Sequence, residues 1–244
     1  MLKELLNGLS ELVFPSNIYC ICCGRPINDN LPYSLCGSCV RILQWANRET
    51  CGKCGKPLTE ITGSGLCRDC SEWPREFEKG FTCAGYGRME REIIHRFKYR
   101  DKAYYGEKLA ELMYERISPE QLENVIIVPV PMYKDKENRR GYNQAAVLAK
   151  NLSKRMGARY AADILIRKAD TTPMSGLNAE ERRNNIKGVF ETAKGKDSLI
   201  SGKTILLVDD VFTTGSTTGE CSRTLLAAGA DKVYVLTFAA GTDP

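Results

Sequence analysis

The sequence is poor in histidine. Only His95 occurs in 244 residues, so chemistry that needs an imidazole has a single candidate. That candidate sits beside Arg96 and Lys98 in a helix-like stretch, where a surface or packing role is the ordinary one. With neither a cysteine–histidine constellation nor a processed N-terminal cysteine, release of ammonia from glutamine is disfavoured. No apolar run approaches the ~20 residues of a membrane span. The opening MLKELLNGLSELVFP has one early Lys, two Glu and no small-residue cleavage site, so it does not read as a secretory signal. Within it Leu2, Leu5, Leu6, Leu9 and Leu12 recur at helical spacing. A short amphipathic helix is expected there, packed onto the protein, because its polar face is not basic enough for a membrane surface.

What remains is an ordinary soluble composition, 43% hydrophobic and 27% charged, in a chain long enough for one α/β domain with a small appendage. Cysteine is the exception. Ten of eleven lie between residues 20 and 83, and only Cys221 lies elsewhere. Without a secretory signal a reducing, cytoplasmic setting is expected, where clustered thiols bind metal rather than pair as disulfides.

The cysteines form a repeat of period 31: Cys20-x2-Cys23-x12-Cys36-x2-Cys39 is followed by Cys51-x2-Cys54-x12-Cys67-x2-Cys70. The flanks repeat too, Cys23-Gly-Arg-Pro26 matching Cys54-Gly-Lys-Pro57. Two residues between cysteines make a tight knuckle that aims both sulfurs at one ion, and a hairpin brings the second pair to complete a tetrahedron. Two structural zinc ions follow, with no open position for catalysis. Pairing within each repeat and interleaved pairing both satisfy the spacing. Cys22 and Cys83 are left over and read as small buried residues. A segment this small buries little core, so zinc should supply most of its folding energy.

Each four-thiolate zinc site carries −2, which lowers the formal +5 to about +1. Residues 1–80 hold nine Lys/Arg and nine Asp/Glu, so the metallated segment is acidic, which argues against a general clamp for nucleic-acid phosphates. The polar, Pro-broken stretch Ser71–Glu76 marks a boundary between a unit over residues 1–75 and one over 80–244, with Trp73 and Phe77 expected to pack the two together.

From residue 81 strands and helices alternate. Strands are expected over Phe81–Tyr86, Val125–Val130, Thr204–Asp210 and Val233–Phe238, and helices over Glu90–Tyr99, Tyr104–Arg116, Gln144–Met156 and Thr217–Ala228. Continuous apolar strands between helices imply a parallel sheet covered on both faces. The telling segment is Ile205-Leu-Leu-Val-Asp209-Asp210-Val-Phe-Thr213-Thr214-Gly215-Ser216-Thr217. A buried strand ends in two carboxylates, enters a Thr/Gly/Ser turn and opens a helix. Ligands of α/β folds bind at that carboxyl edge. The turn amides, hydroxyls and helix start can cradle a phosphate, while the acids suit hydroxyls or a cation. A sugar phosphate combines these features.

That segment resembles the signature of type I phosphoribosyltransferases, and with the double ribbon the chain resembles the ComF family of competence-associated proteins. His95-Arg-Phe-Lys98-Tyr, Val128-Pro-Val-Pro-Met132, Arg140-Gly-Tyr-Asn-Gln-Ala and Arg182-Arg-Asn-Asn-Ile-Lys-Gly-Val-Phe190 also match. One departure is Met174 in Thr171-Thr-Pro-Met-Ser-Gly-Leu177, where a Gln is expected. The resemblance implies binding of phosphoribosyl pyrophosphate with Mg²⁺. Asp209 and Asp210 would engage the ribose hydroxyls directly or through magnesium and favour an oxocarbenium-like state. Thr213, Thr214, Gly215, Ser216 and Thr217 would hold the 5-phosphate. Backbone around Met132 and Tyr133 would face the pyrophosphate, with Lys134 or Arg140 as charge partners. An active transferase, a binding protein without transfer, and a nucleic-acid adaptor of DNA uptake remain as readings. For the last, Arg88, Arg91, Arg96, Lys98, Arg100 and Lys102 form a basic run, diluted by Glu90, Glu92 and Asp101.

Overall fold

Strands whose apolar residues point to both faces, such as Ile205–Val208, cannot meet water on either side, and the computed structural model places them inside a five-stranded sheet. It describes residues 18–28, 31–58, 63–99, 102–172 and 176–241. The helix expected within residues 1–12, together with Arg100, Asp101 and Met174, lies outside the described residues.

The strands are β1 (Lys79–Gly85), β2 (Ile126–Pro129), β3 (Arg159–Tyr160), β6 (Thr204–Phe212) and β7 (Lys232–Ala240). Their order is β1-β7-β6-β2-β3 and every pairing is parallel. A two-stranded antiparallel hood, β4 (Leu165–Arg167) with β5 (Phe190–Thr192), stands apart from the sheet. Flanking helices are α3 (Arg88–Tyr99), α4 (Lys102–Ile117), α6 (Gln144–Met156), α7 (Ala179–Ile186) and α8 (Ser216–Ala227), with a short α5 at Lys134–Arg140. Two one-turn helices, α1 (Gly37–Ile42) and α2 (Arg68–Glu72), belong to the ribbons. Each long element expected from periodicity is present within two residues, and α6 has the expected bounds.

Alternation along the strands divides the core in two. Leu206, Val208, Leu236 and Phe238 join Ile93, Phe97 and Met113 of α3 and α4 in one apolar cluster. Ile205, Leu207, Val233 and Val235 join Cys221 and Leu225 of α8 in the other. The ribbons divide the same way: Cys20, Ile21, Cys22 and Cys39 belong to the first cluster, and the four cysteines of the second repeat, with Phe77, belong to the other. The duplicated motif therefore serves opposite faces of one sheet.

Phe77 is fully buried, its ring edge-on to Phe212 at 6.3 Å. Trp73 remains exposed and instead carries the Arg183 guanidinium 3.5 Å above its ring, a cation–π contact that joins the ribbon to α7.

Candidate functional site

The four sulfurs of Cys20, Cys23, Cys36 and Cys39 converge, as do those of Cys51, Cys54, Cys67 and Cys70, each set within 4.8 Å of one another. Pairing is thus within each repeat, and the interleaved alternative falls away. Sulfur separations of 3.8 Å for Cys23–Cys36 and 3.7 Å for Cys54–Cys67 match the edge of about 3.8 Å expected for a tetrahedron of ~2.3 Å zinc–sulfur bonds. Both clusters fit structural zinc. Cys22 and Cys83 are buried outside the clusters, and burial pushes their thiols up to about 11 and about 12 respectively.

The second site forms at the carboxyl edge of the sheet. Hydrogen-bond register carries β6 past the end of β2, so that Asp209 and Asp210 emerge beside the segment that follows Val130, whose amide donates to the Val208 carbonyl at 2.9 Å. The Asp210 amide donates to Asp209 Oδ1 at 2.8 Å, which fixes that carboxylate against its own strand. Burial, and then the adjacent Asp210 carboxylate, raise the Asp209 carboxyl well above its ordinary range. Asp210, half-buried on the face of β6 toward α3, pairs with Lys98 at 2.8 Å. Burial works against the Lys98 ammonium, yet the Asp210 partner raises it on balance.

The turn beyond the strand is built around Gly215. Its φ is +73°, a left-handed conformation that favours glycine. An added Cβ would come within 2.4 Å of the Phe212 ring, so the glycine is required by the ring beneath the loop as well as by the turn. Thr214 and Ser216 share a hydrogen bond of 2.8 Å between their hydroxyls, and Thr218 donates to the Gly215 carbonyl at 3.2 Å. Gly215 occupies the N-cap of α8 and has no side chain to cap it. The first-turn amides therefore lack intrahelical partners, as the first four of any helix do, and stand beside the Thr213, Thr214, Ser216 and Thr217 hydroxyls as donors for an anion.

Beyond the end of the neighbouring strand β2, Met132 and Tyr133 are half-buried, Tyr133 is the N-cap of α5, and Lys134 is exposed at its first residue. The Arg140-Gly-Tyr-Asn-Gln stretch ties the segment down. Asn143 donates to the Val130 carbonyl at 2.9 Å and caps α6 by accepting from Ala145, Tyr142 donates its hydroxyl to the Phe97 carbonyl, and Arg140 donates to Gln144 at 2.7 Å. Arg140 lies with Lys98 in the same cavity, so of the two cations anticipated opposite the pyrophosphate it is the one placed beside Lys98, the partner of Asp210.

Two contributors escape sequence reading. Lys98 belongs to a basic run that the structure splits: Glu90 turns inward to accept the Gln44 amide at 2.7 Å, Arg96 pairs with Glu92 at 2.8 Å and lies against the first ribbon at Gly24, and Lys98 pairs with Asp210. Arg167, on β4, is half-buried. Burial lowers its pKa while Asp170 and Asp209 oppose the shift, which places its positive charge within electrostatic reach of Asp209. No local motif marks it, because β4 is only three residues long.

With this geometry in place, the comparisons with known proteins are specific. Residues 9–89 match the double zinc ribbon domain and residues 104–243 the phosphoribosyl transferase domain. Competence protein F of Haemophilus influenzae is 31% identical over 206 residues, covering 82% of this chain and 88% of that protein. The DNA utilization protein YhgH of Escherichia coli K12 is 29% identical, over 83% and 88%. Competence protein ComFC of Bacillus subtilis is 26% identical, over 94% and 95%. A solved structure, TT1426 from Thermus thermophilus, aligns over 57% of this chain and 83% of its own, at 14% identity and a TM-score of 0.35. A ribbon pair with two four-cysteine clusters, joined to a parallel sheet whose strand β6 carries an acid pair ahead of the Gly215 turn, makes this chain a member of the ComF family of double zinc ribbon and phosphoribosyl transferase domain proteins.

Proposed function

We propose that the chain binds phosphoribosyl pyrophosphate with Mg²⁺ at the carboxyl edge of its sheet and transfers the phosphoribosyl group. The observation that carries this reading is the continuity of β6, Asp209–Asp210, the left-handed Gly215 turn and the start of α8. Sugar hydroxyls and a phosphate need acceptors and donors at adjacent places, and this segment supplies them in that order. Residues Thr213–Thr217 would hold the 5-phosphate. The backbone of Met132 and Tyr133, with Arg140 or Lys134, would face the pyrophosphate.

Two half-buried carboxyl groups at the carboxyl edge of the sheet are the hard oxygen donors that Mg²⁺ prefers, and the pairing of Asp210 with Lys98 supports a place for a cation there. When bound, magnesium would offset charge on the departing pyrophosphate. The chain's own contribution is to orient the ribose and to favour positive charge developing at its anomeric carbon through the nearby acids. Lys98 must give up or share Asp210 for a second cation to enter.

The competence and DNA-utilization names of its relatives support a role in DNA uptake or use. The eight thiols arranged for zinc support a reducing cytoplasm, and no helix among the described residues is long and apolar enough to cross a membrane. Calorimetry of the zinc-loaded protein with phosphoribosyl pyrophosphate and Mg²⁺ tests the binding. A pyrophosphate-release screen across acceptors then tests transfer. Binding without release under any acceptor would favour the non-catalytic reading, and no binding would remove both.

A further inference from the structure

A cavity of about 620 Å³ opens beside the acid pair, lined by Tyr86, Arg88, Arg91, Lys98 and Arg140 among others. Its volume is in the ordinary range for a small-molecule site, ~300–1,000 Å³. Tyr86 directly follows β1, and its amide donates to the Ala240 carbonyl, the last residue of β7, at 2.6 Å. Lys98 reaches out of the same cavity to Asp210 at 2.8 Å. The cavity is therefore at the carboxyl edge of the sheet and contiguous with the proposed ribose site.

Four cations line it against one carboxylate, Glu92, and that carboxylate is engaged by Arg96 at 2.8 Å. The other acid of the helix, Glu90, is buried away against the Gln44 amide. Neither Arg88 nor Arg91 has an ion pair among the described residues. The walls also present flat π surfaces: the Arg91 guanidinium lies 5.3 Å from the Tyr86 ring centre, and His95 stands 4.8 Å from Tyr99. A concave site of one charge sign concentrates ions of the other, and arginine forks recognise carboxylates in a bidentate way. Aromatic faces with arginine planes favour a flat ring.

We propose that this cavity is the acceptor subsite and that it takes a single-ring aromatic or heteroaromatic compound bearing a carboxylate, in preference to a neutral nucleobase. The inference rests on the phosphoribosyl pyrophosphate reading above. In the transfer, an electron pair on the acceptor nitrogen forms the bond to the anomeric carbon of ribose. The carbon–oxygen bond to pyrophosphate breaks and its electron pair leaves with pyrophosphate, while a proton carried on that nitrogen passes to solvent. Arg88 and Arg91 hold the carboxylate, and Lys98 lies between acceptor and acid pair. Among the described residues Arg88, Arg91, Lys98 and Arg140 line one concavity while Arg96 turns to the first ribbon, which favours a small molecule over a nucleic-acid strand.

The test is titration calorimetry of the zinc-loaded full chain with orotate, nicotinate, anthranilate, nicotinamide and adenine, with and without phosphoribosyl pyrophosphate and Mg²⁺. At least one carboxylated ring should bind tenfold or more tighter than adenine, and nicotinate should exceed nicotinamide if the pyridine ring is the one accepted. The Arg88→Ala/Arg91→Ala double variant should lose that binding by tenfold or more. Its melting temperature and its affinity for phosphoribosyl pyrophosphate should stay those of the parent. Equal binding of adenine, no binding of any carboxylated ring, or an unchanged double variant overturns the proposal. So does a fluorescent single-stranded oligonucleotide whose salt-sensitive binding is what the double variant loses, which would make the cavity a nucleic-acid surface. Loss of phosphoribosyl pyrophosphate binding in the parent itself strikes the preceding reading, and the acceptor role falls with it.

Discussion

In the first ribbon Cys23 and Cys36 are half-exposed, whereas all four cysteines of the second are buried. The difference comes from what each knuckle meets. At Gly24 an added Cβ would touch the end of the Arg96 side chain at 2.8 Å, while at the equivalent Gly55 it would strike the Gly80 carbonyl oxygen at 2.4 Å. Backbone holds the second knuckle to β1, through the Gly80 amide donating to the Lys53 carbonyl at 2.7 Å. The backbone hydrogen bonds that join the described residues of the first ribbon to β1 come from its tail, where the Ala46 amide donates to Cys83 at 2.8 Å, Gln44 accepts from the Gly85 amide at 2.7 Å and Trp45 bridges Ala84. The second also holds an ion pair between buried Lys56 and half-buried Asp69 at 2.7 Å, where the first has exposed Arg25 and Ser38. Finally, the second carries Phe77 onto Phe212, the ring beneath Gly215. One duplicated motif has thus become a peripheral ribbon and a ribbon that props the phosphate-type loop.

Zinc removal should separate the two most strongly. About two ions per chain are expected by elemental analysis, and structural zinc supplies on the order of 10 kcal/mol of folding energy in small domains. Chelation should release zinc in two phases, the half-exposed first site before the second, with residues 15–75 becoming protease-sensitive while the sheet persists. A single phase would erase the distinction.

Glycine substitution sharpens it. Gly24 and Gly55 have φ of +73° and +72°, so alanine strains both by about 1–2 kcal/mol. Gly55→Ala must in addition displace backbone, which brings its cost to about 3–5 kcal/mol, while at Gly24 only a side chain moves. Thermal melts in which the two variants match would contradict the account of the fastening.

Smaller still is the effect of charge. Lys56→Met leaves the Asp69 carboxylate partly buried without its partner, which costs about 2 kcal/mol, and Arg25→Met should change stability by less than about 0.5 kcal/mol. Denaturant midpoints compare the pair, and equal shifts would show that burial of Lys56 has no energetic consequence.

Much of this was legible because metal and phosphate chemistry are local in sequence. A tetrahedral ion needs paired cysteines two residues apart, and an acid pair late in a strand has its turn next in the chain, so the cysteine clusters and the place of Asp209, Asp210 and Gly215 in the fold could be read from spacing. Lys98 could not, because its meeting with Asp210 depends on how α3 crosses the sheet edge. Arg167 sits on a three-residue strand with no periodicity, and α7 buries a single apolar residue, Ile186, too little to show a pattern. The role of Gly215 was half legible: the turn calls for glycine, but the Phe212 ring beneath it emerges only from packing.

The central claim concerns the acid pair, and the Asp209→Asn/Asp210→Asn variant tests it most directly. Both side chains lie near the carboxyl end of β6, and Asn keeps their shape and removes the buried like-charge pair, so melting should change by no more than a few degrees. Titration calorimetry with phosphoribosyl pyrophosphate and Mg²⁺ should show binding in the parent and at least a hundredfold loss in the variant, equivalent to about 3 kcal/mol. A variant that folds and binds as tightly as the parent would contradict the account and place the ligand elsewhere.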